Sequence, residues 1–242
     1  MTAAASPLLG CVVSCVVMAY NEAPSLEATA RELHGVLRAL GAPCEMLIVD
    51  DGSGDGTGEI ADALARELDA PAAAVRVRVV HHRPNLGLGG VYRTGFAESS
   101  GEYVTFFPAD GQFPATIIRD FLPRAREADL VLGYLPERKS SVVAKTLSAV
   151  ERLLYAALFG RLPRFQGILM LRRAVLADVA LKSAGRGWAV VMELIIRTKR
   201  GGYRIVSVPN ALRPRAHGRS KVNNLRTIWA NFRQVVALRE HL

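Results

Sequence analysis

One apolar run that ends in two adjacent carboxylates constrains this chain more than any other feature. Residues 46–57 read MLIVDDGSGDGT, so a strongly apolar segment leads directly into Asp50, Asp51 and a glycine-rich turn. A strand that is apolar on both faces is typical of a parallel sheet covered by helices. Open sheets of this kind bind ligands at the carboxyl ends of their strands. The segment therefore predicts a buried strand that delivers acidic side chains to a binding edge.

Strand-like and helix-like segments alternate through the first half of the chain. Strands are predicted at 11–19, 45–50, 75–81, 103–107 and 129–134. Helices are predicted between them, at 24–40, 57–69, 88–99 and 114–127. Ser25 is placed to cap the first helix. This alternation with short connections predicts an α/β fold with a mostly parallel central sheet flanked by helices.

The pattern changes after residue 135. A long amphipathic helix is predicted at 141–159, and the elements that follow are a strand at 166–171, a helix at 188–200 and a sheet-closing strand at 203–208. The last segment, 222–241, has apolar residues at helical spacing, with its arginines off that stripe. Two interpretations stay open for this C-terminal amphipathic helix. It packs on its own domain, or it lies at a membrane surface with its arginines at lipid headgroups.

The positive charge is concentrated at one end of the chain. The 242 residues carry a net charge of +9, but from Arg197 onward there are eleven Lys and Arg against one acid, Glu240. A basic end predicts an anionic partner such as a phosphate group or an anionic membrane surface. No nucleic-acid recognition motif accompanies the charge, so nucleic acid is not expected as a partner.

Cysteine usage and hydropathy indicate the redox compartment of the protein and whether a helix of it crosses a membrane. Cys11, Cys15 and Cys44 are odd in number and lie in or beside apolar runs, which predicts buried free thiols and a reducing compartment. The sequence contains no uninterrupted run of 18 apolar residues, so no membrane-spanning helix is expected.

Four further segments join the acidic turn in a specific order. They are VVMAYNE at 16–22, NLGLGGVYRTGF at 85–96, FFPADGQF at 106–113 and RAHGRSKV at 215–222. Together these motifs resemble the inverting, nucleotide-sugar-dependent glycosyltransferases of family 2, and within them the dolichol- or polyprenyl-phosphate mannosyltransferases. The resemblance extends from residue 11 to about residue 222.

The resemblance implies a GT-A fold in which successive parts of the chain bind the donor and the acceptor. Residues 1–212 would form the glycosyltransferase domain, with a nucleotide-sugar half at 1–113 and an acceptor half at 114–212. Residues 213–242 would add a basic acceptor loop and the amphipathic C-terminal helix.

The resemblance also assigns the donor nucleotide to residues that follow the first two strands. Ala19, Tyr20 and Glu22 would contact base and ribose after the first strand. Asp51 and Ser53 would do so after the second. Asp51 also begins a spacing that imitates an EF-hand calcium loop, but the segment before it predicts a strand where an EF-hand needs a helix.

The chemistry is expected at Asp110 and Gln112, the catalytic and metal-binding candidates. Relatives of this type carry Asp-x-Asp at the corresponding strand end, where it binds a divalent ion on the donor diphosphate. Here Pro108 occupies the first position, so Asp110 and Gln112 remain in register. Their hard oxygen atoms suit Mg²⁺ or Mn²⁺, which commonly use substrate phosphates as further ligands.

The acceptor phosphate is assigned to basic residues of the second half. Arg138 and Lys139 follow the fifth predicted strand, and Arg215, Ser220 and Lys221 match the family pattern Arg-x-x-Gly-x-Ser-Lys. Guanidinium groups and a hydroxyl in one loop suit a phosphate. Glu193 matches a glutamate of the family helix and is expected to line or structure the acceptor side.

The predicted activity is metal-dependent, inverting transfer of a hexosyl group from a nucleotide-sugar, with GDP-mannose favoured, to a polyprenyl or dolichyl phosphate. The expected location is cytoplasmic and peripheral, at the inner face of a membrane. Two alternatives stay open. One is a soluble family 2 transferase with a sugar or small-metabolite acceptor, and the other is a nucleotide-sugar-binding pseudoenzyme, suggested by Pro108.

Overall fold

Seven strands form one sheet in the computed structural model, which describes residues 10–69, 74–136, 155–214 and 238. The strands are β1 (Val13–Ala19), β2 (Cys44–Asp50), β3 (Val75–His81), β4 (Tyr103–Pro108), β5 (Leu130–Tyr134), β6 (Leu169–Arg172) and β7 (Ile205–Pro209). The helices are α1 (Ala23–Arg38), α2 (Thr57–Leu68), α3 (Gly87–Glu98), α4 (Ile117–Glu127), α5 (Val175–Asp178) and α6 (Ala189–Arg200). Residues 155–159 are also helical.

The strand order is β3-β2-β1-β4-β6-β5-β7. Strands β1 to β4 are parallel to one another, as are β5 and β7, whereas β6 runs antiparallel to both β4 and β5. The predicted mostly parallel α/β sheet is therefore confirmed. The two predicted halves share this sheet, because β6 from the second half pairs directly with β4 from the first.

Helices cover both faces of the sheet because the central strands are apolar on both sides. On one face Val17 and Ile48 pack with Leu33 of α1 and Phe121 of α4. On the other face Val16, Leu47 and Val49 pack with Tyr92 of α3 and Leu194 of α6. Each fully buried side chain of this size stabilises the fold by ~1.5–3 kcal/mol.

The beginning of α1 differs from its prediction. The residue that precedes the helix is Glu22, with Pro24 in the first turn. The side chain of Glu22 caps no helix amide, but the first helical amide, that of Ala23, donates to Oδ2 of Asp55 at 3.2 Å. Ser25 is buried inside the first turn, and its hydroxyl donates to a carboxylate oxygen of Glu22 at 3.1 Å. The capping role predicted for Ser25 is wrong, because Pro24 favours an earlier first turn and has no N–H that needs an acceptor.

The other expectations concern the cysteines, the turn after β2 and the remaining helices. All three cysteines are buried and free, as predicted. Strand β2 leads directly into the turn at Asp51, so the helix that an EF-hand requires is not there. Among the described residues no helix has both the length and the apolar character needed to cross a bilayer. The predicted helix at 222–241 lies outside the described residues except for Leu238, and that at 141–159 is described from residue 155.

Candidate active site

The carboxyl ends of β1, β2, β3 and β4 meet at one edge of the sheet. Ala19 pairs with Asp50, Asp50 pairs with His81, and Met18 pairs with Pro108. The polar turns that follow these strands are therefore neighbours. This edge brings together the candidates predicted for the donor and the metal, namely Ala19, Tyr20, Glu22, Asp51, Ser53, Asp110 and Gln112.

The turn after β1 is bonded to the turn after β2. The amide of Asn21, whose φ is 50°, donates to the hydroxyl of Ser53 at 2.9 Å, and the amide of Gly54 donates to Asn21 Oδ1 at 2.9 Å. The amide of Glu22 donates to the hydroxyl of Thr57 at 2.8 Å. These bonds fix the backbone that follows Tyr20, a residue that is 41% exposed at the edge.

Asp51 is buried and its carboxylate accepts four hydrogen bonds. Oδ1 faces Nδ1 of His82 at 2.7 Å and accepts from the amide of Leu86 at 2.8 Å. Oδ2 accepts from the side chain of Asn85 at 2.8 Å and from the amide of Gly87 at 2.9 Å. A carboxylate has about four lone-pair sites, so this side chain is saturated by the loop after β3. A nucleotide that reaches Asp51 must replace one of these donors.

His82 was not a candidate in the sequence, although it lies three residues before the NLGLGG segment. It is buried, and its Nε2 lies 2.8 Å from the hydroxyl of Thr94 in α3. With Nδ1 on Asp51, the ring connects β2 to α3 beneath the edge. Asn85 was quoted as part of that segment without a role, yet it contacts both the carbonyl and the carboxylate of Asp51.

Asp50 forms a second carboxylate–histidine pair beside the first. Nδ1 of His81 lies 2.9 Å from Oδ2 of Asp50, and Nε2 lies 3.1 Å from Oδ1 of Asp62 in α2. The hydrogen bond with Asp50 raises the pKa of His81, and Asp62 adds to this effect. Burial opposes ionisation of Asp50, but hydrogen bonds from Ser53 and His81 outweigh it and lower the pKa of that carboxyl group.

A cleft of about 520 Å³ opens over this pair. Its lining includes Gly52, Ser53, Asp62, His81 and Asn85. A volume of this size lies within the range of small-molecule sites. The cleft lies at the carboxyl ends of β2 and β3, on the side where the donor nucleotide is expected.

A segment of the second half lies across the glycine-rich loop after β3. The amide of Gly89 donates to the carbonyl of Arg186 at 2.9 Å, and the guanidinium of Arg186 donates to the carbonyl of Asn85 at 2.8 Å. A Cβ atom at position 89 would lie 2.0 Å from the carbonyl oxygen of Gly185. The glycine at position 89 is therefore required by this close approach. Sequence reasoning missed Arg186, since nothing local connects residues about a hundred positions apart.

Glu193 has a structural role in the same segment. Its carboxylate is fully buried in α6 and accepts from the amides of Lys182 and Ser183 at 2.7–3.1 Å. Arg197, one turn later, donates to it at 2.8 Å. These bonds hold the segment that lies on Gly89, whereas a role on the acceptor side stays a prediction.

The loop after β4 carries the predicted metal ligands. Asp110 is 9% exposed, and its Oδ1 accepts from the amide of Gln112 at 3.1 Å, across Gly111 with a φ of 70°. The positive φ at Gly111 suits glycine and places the two side chains on one tight turn.

The donor set fits a hard divalent ion as part of a larger coordination shell. A carboxylate and an amide oxygen are typical of Mg²⁺ and Mn²⁺ sites that also use substrate phosphates. Within the described residues no cluster of three or more His, Cys, Asp or Glu side chains could hold a metal ion. Asp110 and Gln112 would therefore hold the ion together with a ligand's own oxygens.

The acceptor-phosphate candidates lie outside the described residues. These are Arg138, Lys139, Arg215, Ser220 and Lys221. The described segment ends at Pro214, just before the basic motif. Its last residues contact the loop after β4, since the amide of Arg213 donates to the carbonyl of Gln112 at 2.7 Å.

Comparison with known sequences gives consistent matches. The model of the family described as glycosyl transferase family 2 matches residues 14–177. An undecaprenyl-phosphate mannosyltransferase of Micrococcus luteus is 32% identical, with 87% of each chain covered. A dolichol-phosphate mannosyltransferase of Pyrococcus furiosus is 27% identical over 93% of this chain and 63% of its own length. The chain spans 38% of the glycosyltransferase AglD of Haloferax volcanii, at 28% identity.

Solved structures share the fold. Mannosyl-3-phosphoglycerate synthase from Rubrobacter xylanophilus matches with a TM-score of 0.66 and 18% identity, covering 96% of this chain and 75% of its own. The mannosyltransferase PcManGT from Pyrobaculum calidifontis, in complex with GDP-Man and Mn²⁺, matches with a TM-score of 0.57 and 21% identity. That match covers 86% of this chain and 58% of the other. The neighbours are GT-A glycosyltransferases, so the predicted GT-A fold is confirmed.

Proposed function

The chain belongs to glycosyl transferase family 2, and on that basis we propose that it transfers a hexosyl group from a nucleotide-sugar to a polyprenyl phosphate. GDP-mannose is the favoured donor. Three relatives, from Micrococcus luteus, Pyrococcus furiosus and Mycolicibacterium smegmatis, are named as mannosyltransferases or a phosphomannose synthase of such lipids. The relative from Salmonella paratyphi A is named as an undecaprenyl-phosphate transferase of another sugar, 4-deoxy-4-formamido-L-arabinose. These relatives therefore share the lipid phosphate but differ in the sugar.

The observation that carries the proposal is the tight turn from Asp110 to Gln112 at the centre of the binding edge. Two oxygen-bearing side chains lie two residues apart, directly after β4. Nucleotide-binding candidates after β1 and β2 lie beside them in the same sheet. This arrangement supports a site for a diphosphate flanked by a base-binding region.

On the donor side, Ala19, Tyr20 and Glu22 would bind the nucleoside together with Ser53 and the loop held by Asp51. Asp110 and Gln112 would hold a divalent ion on the diphosphate. When bound, such an ion neutralises the negative charge that develops on the leaving nucleoside diphosphate. The role of the protein is then to orient the donor so that its anomeric carbon faces the acceptor.

On the acceptor side, the proposed phosphate ligands are Arg138, Lys139, Arg215, Ser220 and Lys221. A lipid monophosphate has a second pKa of about 6, so it is largely dianionic at neutral pH. Its oxygen can attack the anomeric carbon without a strong general base, and a single in-line displacement inverts the configuration there. Guanidinium groups would hold the phosphate on the face opposite the leaving group.

A lipid acceptor also places the enzyme at a membrane surface. The eleven Lys and Arg from Arg197 onward would attract an anionic leaflet. We propose peripheral attachment at the cytoplasmic face, where nucleotide-sugar donors are available to the edge described above.

The experiment that tests this function is nucleoside-diphosphate release from GDP-mannose and from UDP-sugars, with Mn²⁺, with and without a short polyprenyl phosphate. Label that moves into the organic phase in a lipid-dependent way would support the proposal and identify the donor. Asp110→Asn should lower the rate at least ~100-fold, since charge stabilisation by a metal is worth several kcal/mol. Asp120→Asn, on the exposed side of α4, is the matched control and should be neutral.

Other outcomes point elsewhere. Turnover that requires a small sugar or metabolite acceptor, with a base-dependent pH profile, would contradict the lipid acceptor. Donor binding without any turnover would indicate a pseudoenzyme and direct attention to Pro108.

A further inference from the structure

An ion pair holds the loop of Asp110 and Gln112 from outside. The guanidinium of Arg213, after β7, donates to both carboxylate oxygens of Glu32 in α1, at 2.7 and 3.0 Å. The amide of Arg213 donates to the carbonyl of Gln112 at 2.7 Å. Arg213 therefore contacts the loop through its backbone while its side chain is anchored on a helix. Sequence reasoning missed this pair, because 181 residues separate its members.

Helix α1 contacts both ends of the same loop. Glu32 Oε1 also accepts from the amide of Ala115 at 3.1 Å, and the hydroxyl of Thr29 donates to the carbonyl of Ala109 at 3.3 Å. Thr29 and Glu32 are three residues apart, so they lie on one face of the helix. The loop is thus held at its start by Thr29, at its middle by Arg213 and at its end by Glu32.

We propose that Glu32 and Arg213 are positioning residues for the oxygen donors of this loop. The inference rests on the proposed function, because it concerns the same metal–diphosphate site. Arg213 fixes the peptide of Gln112, and the direction of the Gln112 side chain depends on that peptide. Loss of groups that orient metal-binding residues typically lowers metal affinity by about 10–100-fold.

The pair is suited to orientation more than to folding. Glu32 and Arg213 side chains are 35% and 48% exposed, and ion pairs at such positions contribute little to stability. Their two parallel N–H···O bonds nevertheless fix the relative geometry of the groups. The hydrogen bond from Arg213 lowers the pKa of Glu32, so the pair stays charged at neutral pH.

The test is calorimetric titration of GDP and of UDP, each with and without Mn²⁺, into the wild type, Glu32→Gln and Arg213→Gln. Each variant should bind the Mn²⁺–nucleotide about tenfold more weakly. Binding of the metal-free nucleotide should stay within about twofold, and Tm within about 2 °C. The double variant should lose no more than either single variant, because the two groups act as one unit.

A matched control lies on the same helix. Arg31 forms the same bidentate contact with Glu67 of α2, at 2.7 Å for both bonds, with side chains 42% and 55% exposed. Glu67→Gln removes an equivalent ion pair that does not touch the loop. Its affinity for the Mn²⁺–nucleotide should equal that of the wild type.

The outcomes separate this inference from the proposed function. If the wild type binds Mn²⁺–nucleotide and both variants bind it within twofold, the pair is an ordinary surface contact and the inference is overturned, while the proposed function stands. Equal loss of metal-free binding would show a general disruption and would also overturn it. If the wild type binds neither GDP nor UDP, with or without Mn²⁺, the result contradicts the proposed function itself, and the inference that rests on it falls with it.

Discussion

Nδ1 of His82 lies 2.7 Å from Oδ1 of Asp51, and both side chains are buried beneath the carboxyl edge of the sheet. The neighbouring pair, Asp50 and His81, repeats this contact at 2.9 Å, because the two acids and the two histidines are adjacent in sequence on neighbouring parallel strands. The most acidic motif of the sequence is therefore matched by two histidines from the next strand.

Asp51→Asn should destabilise the protein by about 2–4 kcal/mol. An amide in place of the carboxylate directs N–H groups at donors, so buried donors lose their acceptor. Urea unfolding measures the change. Asp62→Asn is the control, because that carboxylate is exposed and should cost less than about 1 kcal/mol. A fully stable Asp51→Asn that loses donor binding would mean that Asp51 serves the nucleotide alone.

The pH dependence of stability should report on His81. The pKa of His81 is raised in the folded state. Its contribution to stability is therefore complete below the unfolded pKa of ~6.5 and disappears as pH rises through the folded pKa. His81→Asn should lower Tm by about 2–4 °C at pH ~5.5, which corresponds to ~1 kcal/mol. The difference should shrink at pH ~9.

His34 provides a control of opposite sign. Burial lowers its pKa, with a further effect from Arg38, so the folded state resists protonation. Stability associated with His34 is lost as pH falls, and His34→Gln should become relatively more stable at pH ~5.5. Thermal melts of both variants across the same pH series distinguish the two cases. If the difference in Tm between His81→Asn and the wild type is the same at every pH, His81 does not contribute to stability through its titration.

Gly89→Ala should destabilise the protein by ~2 kcal/mol or more. The added Cβ would lie 2.0 Å from the carbonyl oxygen of Gly185, which is backbone and cannot move aside cheaply. Gly35→Ala is the matched control inside α1, where a Cβ meets nothing within 4 Å. It should stabilise by about 0.5–1 kcal/mol, as expected in a helix interior. Equal effects in chemical unfolding would show that the two segments do not touch.

Pro108→Asp should strengthen Mn²⁺ binding in the presence of a nucleoside diphosphate, by up to about tenfold. The change adds a hard carboxylate at the last residue of β4, two positions before Asp110. Titration calorimetry measures the affinity, and Pro108→Asn controls for loss of the ring without added charge. Unchanged affinity in Pro108→Asp would indicate that position 108 does not reach the ion.

The apolar periodicity of the sequence predicted the strands and helices of the first half of the chain well. The five strands of the first half and the helices between them lie within about three residues of their predicted bounds, because apolar periodicity reports burial directly. The expectation for Ser25 was wrong, because the helix begins earlier, with Pro24 in its first turn.

Site candidates adjacent to a strand end were also predictable. Asp51, Asp110 and Gln112 follow apolar strands, and parallel pairing necessarily brings such ends to one edge. Their distant partners were not predictable in this way. Arg186 and Arg213 reach the site from elsewhere in the chain, and no periodicity in the sequence encodes their distances. His82 directly follows β3, so the strand-end argument could have found it.

The sequence by itself determined the fold class and the edge at which the polar turns converge, because burial and strand direction follow from residue pattern. The family followed from the resemblance of its motifs. The tertiary structure decided which of those polar groups are hydrogen-bonded within the protein. It saturates Asp51 with the loop after β3, places Arg186 over Gly89 and joins Glu32 to Arg213 across 181 residues. Hydrogen bonds act over about 3 Å, so these roles exist only once distant segments are packed together.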